Sequence, residues 1–330
     1  MMHQYTLGPL PWNEDVLRKA YFQNFIETRK VIQEHPGFLV HQDLCVLQLS
    51  LEIFLDSVSD LMQSINSFRY DAQSINFWTR PSQSRFEQRE LSIRRGVFAA
   101  VTSAISLVDH SRVINNKISI KGYWDQIKES FSDNAEHRFV QGLRNYISHV
   151  RMVEPDWRKN ISLKGKSTRF LLQQDGLLKW DGWHPLARSF VDSHPEGIDV
   201  EFLFDNYRNR VLLFQDWFHS EIARVSEPAL SEYRQYERLL NRFDTKTWWS
   251  MILKQVISQR LDPFNYLDRY LTKAELDEIL AMPMRSKMQI DRIIEILDEY
   301  DVCDAEIRGK IYKACGLSIP NNKTQTDCLL

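Results

Sequence analysis

Three side chains within one short stretch, Arg144, Asn145 and His149, have the types and spacing to act on a phosphodiester. A histidine with an ordinary pKa of about 6.5 takes or gives a proton near neutrality. An arginine stays cationic and holds two phosphate oxygens at once. Asn145 can orient His149 or a phosphate oxygen. RNA carries its own nucleophile, so its strand is cut without a metal wherever the 2'-hydroxyl is deprotonated and the phosphorane charge is stabilised.

A helix must position these groups. Phe139, Val140, Leu143, Tyr146, Ile147 and Val150 recur at steps of one, three and four, which predicts an amphipathic helix with the polar triplet off its apolar face. Asp133 as N-cap, Glu136 as its capping-box partner and Pro155 beyond the end place that helix over 133–152, about five turns. Asn145 and His149 then share a face, whereas Arg144 lies about 140 degrees around the axis from His149. Either the helix loosens near its end and Arg144 curls back, or two chains pair and Arg144 of one meets His149 of the other.

The run Leu143-Arg-Asn-Tyr-Ile-Ser-His149 resembles the Arg-x(4–6)-His signature of the HEPN superfamily, helical nucleotide-binding proteins that include many metal-independent endoribonucleases. Arg29 with His35 and Arg188 with His194 have similar spacing, but His35 and His194 each precede a proline, where helices end. The resemblance implies an all-α fold, a HEPN-like bundle of about four long helices with its core near residues 40–225. It also implies a homodimer with a composite cleft, and cleavage to a 2',3'-cyclic phosphate and a 5'-hydroxyl. A toxin or anti-phage defence role, with an antitoxin or another defence-system protein as partner, belongs to the same expectation. The competing reading makes Arg144 an ion-pair member and His149 a hydrogen-bonded helix-end residue in a non-catalytic nucleotide-binding or protein-interaction scaffold.

Elsewhere the pattern predicts helices over 13–34 and 42–67, broken by His35-Pro36-Gly37, then a loop over 71–84. A long helical pattern from Phe86 to Asn116 carries small residues, Ala99, Ala100, Ser103 and Ala104, that admit a close neighbour, and its end with Asp109, His110 and Arg112 leads into a linker. Between 151 and 169, Arg151, Arg158, Lys159, Lys164, Lys166 and Arg169 outnumber Glu154 and Asp156, and the first five of these are the expected RNA contacts. A small β-hairpin insertion is expected at 160–180, turning at Asp175-Gly176. Ile198 to Ala223 reads as a helix, followed by shorter helices at 227–242, 246–260, 272–281 (Thr272 as N-cap, Glu275 as box partner), 286–299 and 303–315, and a frayed tail over 316–330. The expected division is a helical domain over 1–225 and a C-terminal helical region over 226–330.

With 43% hydrophobic and 26% charged residues in 330, the chain has the composition of a soluble globular protein. Its formal charge of -2 excludes a generally basic nucleic-acid coat, so any RNA contact must be local. No apolar run is expected to approach the ~20 residues that span a bilayer, and the first residues lack a leader pattern, so a cytoplasmic protein without membrane contact is expected. Cys45, Cys303, Cys315 and Cys328 form neither a disulfide framework nor a zinc motif. His184 near Asp181 and His194 near Asp192 read as loop residues, so neither a metal nor a cofactor is expected.

Overall fold

The computed structural model describes residues 7–132, 135–153, 155–162 and 165–317. The chain is all-α with one small sheet. In order it forms α1 (Glu14–Gln23), α2 (Phe25–Gln33), α3 (Pro36–Asp71), α4 (Gln83–Ile118), α5 (Tyr123–Ile127), α6 (Ala135–His149), β1 (Pro155–Ser162), β2 (Gly165–Leu172), α7 (Gln174–Leu178), α8 (Pro185–Asp192), β3 (Ile198–Asp199), α9 (Val200–Gln259), α10 (Lys273–Leu280), α11 (Lys287–Leu297) and α12 (Ala305–Ala314). It divides into two compact units, residues 39–227 and residues 1–38 with 228–330. The N-terminal helices therefore group with the C-terminal region, not with the segment that follows them.

The unit of residues 39–227 holds the Arg144–His149 stretch. Its core comes from the buried faces of α3 (Phe54, Val58, Leu61, Phe68), α4 (Ile93, Val97, Ala100, Ala104), α6 and the first half of α9 (Leu203, Phe204, Phe218). α3 and α4 run antiparallel: Lys117 Nζ lies 2.6 Å from Asp43, the Ser50 hydroxyl lies 2.6 Å from His110 Nδ1, and Arg85 and Arg89 both reach the buried Asp71 carboxylate. Gly96 brings the pair close, since a Cβ there would stand 3.0 Å from the Leu61 backbone. By length and composition α3 and α4 are also apolar enough to cross a membrane, each holding an 18-residue window of mean hydropathy 1.4. That corrects the expectation of no such stretch: the scattered Asp, Gln and Ser side chains interrupt the run and lower its average, but the Leu, Ile, Val, Phe and Ala around them keep it high.

The sheet has the order β1-β2-β3, antiparallel throughout, with Pro155 opposite Leu172 and Ser162 opposite Gly165. The hairpin therefore lies at 155–172 and not at 160–180. Asp175 and Gly176, expected at its turn, sit inside the short helix α7, where Leu177 is buried. Gly197 has φ +96°, and a Cβ there would approach the Leu172 carbonyl oxygen to 2.9 Å, so the turn before β3 requires glycine. Trp157 of β1 stacks on Phe68 with ring centroids 3.4 Å apart, which fixes the hairpin against α3.

Several boundaries differ from the sequence reading. The predicted 13–34 helix is two helices, because Asn24 ends α1 with its N–H on the Ala20 carbonyl and starts α2 with its side chain on the Glu27 N–H. The linker after α4 is helical, α5 followed by a wide π-type turn, Lys128–Ser132. The expected breaks near 226 and 243 are absent: α9 runs through Pro228, since buried Ile222, Leu230 and Tyr233 on either side hold it despite the lost main-chain donor.

In the other unit, Leu17, Tyr21 and Ile32 pack against Tyr233, Tyr236, Leu240 and Phe243 of α9. Trp249, Leu253, Ile290, Ile294 and Ile307 form a second cluster among α9, α11 and α12. The Thr272–Glu275 capping box is formed at the start of α10. The Asp133 cap, Cys328 and most of the predicted tail lie outside the described residues.

Candidate functional site

The Arg144–His149 stretch lies on α6, which is more enclosed than its length suggests. Phe139, Val140, Leu143, Tyr146 and Ile147 are all buried, as the periodicity predicts. The edge of the Trp183 indole abuts Gly142, where a Cβ would meet the ring carbons at 2.7 Å, and its Nε1–H donates to the Leu177 carbonyl at 2.7 Å. α6 is thus held by the α7–α8 segment along one side, with Phe139 stacked on Trp183 and Tyr146 packed against Trp180 and Trp183.

The helix ends at His149, three residues earlier than predicted. The N–H groups of Val150 and Arg151 both donate to the Tyr146 carbonyl, closing the last turn, and Val150 is exposed instead of continuing the apolar face. His149 is exposed, and no described residue hydrogen-bonds its ring. Arg144 is half-buried and donates from Nη1 to Asn145 Oδ1 at 3.2 Å. Asn145 therefore engages Arg144 and not His149. Within one chain the structure does not bring Arg144 and His149 together.

The expected RNA-binding cations are partly committed elsewhere. Arg151 donates from Nε to the Tyr146 hydroxyl at 2.8 Å and from Nη2 to the Gly176 carbonyl at 3.4 Å. Arg158 sits between Asp156 at 3.5 Å and Glu196 at 3.3 Å, which locally cancels its charge. Lys164 and the side chains of Lys159 and Lys166 lie outside the described residues.

The two look-alike pairs are structural. Arg29 pairs with Asp244, and the buried His35 accepts from the Gly37 N–H at 3.0 Å and lies 3.4 Å from Glu232. Arg188 lies 3.8 Å from Asp181, and His194 donates from Nδ1 to the Phe190 carbonyl at 2.7 Å. His184 caps α8 through the Leu186 N–H. Among the described residues, no three His, Cys, Asp or Glu side chains gather as metal ligands. Burial pushes the Cys303 thiol up to about 12 and the Cys315 thiol up to about 11, so both stay protonated.

One group on α6 escaped the sequence reading. His137 is buried, with Nδ1 3.1 Å from the Tyr207 hydroxyl. Burial, then the charges of Arg138, Arg112 and Arg210, lower its pKa to about 4 and keep the ring neutral. Its neighbour Glu136 is raised above the usual carboxylate range by burial, against the pull of Arg210 at 4.0 Å. A histidine and a glutamate at the start of an otherwise apolar helix face were the only signal of this buried polar cluster.

Comparison with protein-family models, curated proteins and solved structures found no match.

Proposed function

We propose that the chain is a metal-independent endoribonuclease, with His149 as the proton-transfer group, Arg144 as the electrostatic stabiliser and Asn145 as its positioning partner. The observation that supports this is the placement of all three on the accessible side of a helix whose apolar side is buried, with no described residue on the His149 ring. His149 would take the proton of the 2'-hydroxyl as that oxygen attacks phosphorus. Arg144 would hold the two non-bridging oxygens as charge builds, and the departing 5'-oxygen would take a proton from water, with His149 returning its own proton to solvent. The wide angle between Arg144 and His149 makes a two-fold pair of α6 helices the arrangement that completes such a site, so RNA and a second copy of the chain are the partners. A toxin or defence role fits an enzyme of this kind.

That same separation favours a second reading, a non-catalytic helical nucleotide-binding or protein-interaction scaffold. Incubating the purified chain with total RNA under chelating conditions decides between them. New fragments ending in 2',3'-cyclic phosphate and 5'-hydroxyl support the enzyme; intact RNA, or a strict monomer by light scattering at micromolar concentration, supports the scaffold.

A further inference from the structure

A cavity of about 430 Å³ lies within the unit of residues 39–227, among α4, α5, the π-type turn, α6 and α9. Small-molecule sites commonly occupy roughly 300–1,000 Å³ and combine apolar walls with a few convergent polar groups. Aromatic walls come from Tyr123, Phe131 and Phe214, whose rings contact one another: Tyr123 to Phe214 at 5.8 Å between centroids and Phe131 to Phe214 at 5.6 Å. Trp124 and Lys128, both exposed, mark the mouth.

Polar groups on this wall are incompletely used. Gln215 donates from Nε2 to the Ser111 hydroxyl at 3.0 Å, but its Oε1 has no partner among the described residues. The Tyr123 hydroxyl, on a residue 1% exposed, also has none. A buried polar atom left unmatched is destabilising, so two on one cavity wall call for a ligand that satisfies them.

Charge gives the wall a sign. Arg112, Lys128 and Arg138 line it, and among the described residues no Asp or Glu does. Arg112 has one exposed carboxylate neighbour, Asp109 at 3.3 Å, and Arg138 reaches only the neutral Gln141 Oε1 at 3.1 Å while its Nε is buried without a partner among the described residues. Two guanidinium groups beside aromatic rings packed edge to face in a partly dry space favour an anion attached to an aromatic ring. The wall also includes the π-type turn, a local irregularity that often marks a functional site in helical proteins.

We propose that this cavity binds a small planar aromatic anion, its ring among Tyr123, Phe131 and Phe214 and its carboxylate or phosphate between Arg112 and Arg138. Arg144 and His149 take no part, so the site stands whether or not the chain cleaves RNA.

The test is ligand-observed NMR on the full-length chain with benzoate and phenyl phosphate, with phenol as the uncharged counterpart and inorganic phosphate as competitor. At least one aromatic anion should bind about tenfold more tightly than phenol, and inorganic phosphate at equal concentration should fail to displace it. Binding of benzoate alone identifies a carboxylate ligand; binding of phenyl phosphate alone identifies a phosphate. Arg112→Gln and Arg138→Gln should each weaken the anion by about tenfold and leave phenol unchanged, while Val108→Trp, which fills the cavity and keeps its charge, should exclude all three aromatics. Phenol binding as well as the anions, anion affinity unchanged in both arginine variants, or no binding of either anion overturns the proposal. Arg112 is half-exposed on α4, so its variant keeps the test available should Arg138→Gln fail to fold.

Discussion

His137 of α6 and Tyr207 of α9 form a buried neutral pair, their rings within 11° of parallel and Nδ1 3.1 Å from the hydroxyl. Burial raises the Tyr207 hydroxyl well above its ordinary value, as it lowers the imidazole. A proton arriving on His137 in the folded state would be stranded beside Arg138 and Arg112.

That pair sets a pH dependence. The His137 pKa falls from 6.5 in the open chain to about 4 in the fold, so the unfolded state binds more protons between those values. Stability from this group is complete above about 6.5 and is lost as pH falls toward 4, by up to about 3 kcal/mol. Urea melts of parent and His137→Gln at a series of pH values should show a steeper acid-side loss in the parent. Parallel curves would place a freely titrating histidine at 137.

His149→Ala and Arg144→Ala should each reduce RNA cleavage by about a hundredfold or more with unchanged melting temperature, because neither side chain supplies the apolar packing of α6. Mixing the two inactive variants should restore part of the activity, since one site of a heterodimer regains both groups. No recovery on mixing would mean each site is built within one chain, and full activity in either variant would remove the ribonuclease reading.

Gly142→Ala should destabilise by about 1–3 kcal/mol, although alanine normally stabilises a helix relative to glycine by about 1 kcal/mol. The added Cβ would press on the Trp183 ring, which its hydrogen bond to Leu177 holds in place. A variant more stable than the parent in denaturant would show that the indole yields.

Asp71 is buried where α3 meets the start of α4. Burial would raise its carboxyl, yet the hydrogen bonds from Arg89 and Arg85 outweigh that and hold it below 3.8. Asp71→Asn should cost about 1–3 kcal/mol at neutral pH. The depressed pKa makes this contribution full above about 4 and lost as pH falls through the folded value, so the gap between parent and variant should close in acid. A gap that stays constant below pH 4 would show that the carboxylate charge contributes nothing.

The long helices were readable because Leu47, Phe54 and Val58, or Phe139, Leu143 and Ile147, repeat at the helical period and are buried as that period requires. The single helix over 13–34 and the break near 226 were misread for opposite reasons, at Asn24 and Pro228. A residue that caps two helices at once leaves no gap in the apolar pattern, and a proline that packing overrides leaves a false one. Of the site, residue types and the surface position of the motif were legible, whereas the Asn145 hold on Arg144 was not. The cavity escaped altogether, since Arg112, Tyr123, Arg138 and Gln215 are scattered over a hundred positions and meet only through the packing of four helices.

The Gln215–Ser111 hydrogen bond joins positions 104 apart in sequence, and the serine hydroxyl in turn donates to the Leu107 carbonyl at 2.8 Å. Removing the hydroxyl alone would strand the whole buried amide, while exchanging both residues for apolar ones of matching shape would be close to neutral. Drift at either position is therefore conditional on the other. In a lineage of related chains, positions 111 and 215 should change together, as a serine with a glutamine or as two apolar residues, and seldom one at a time.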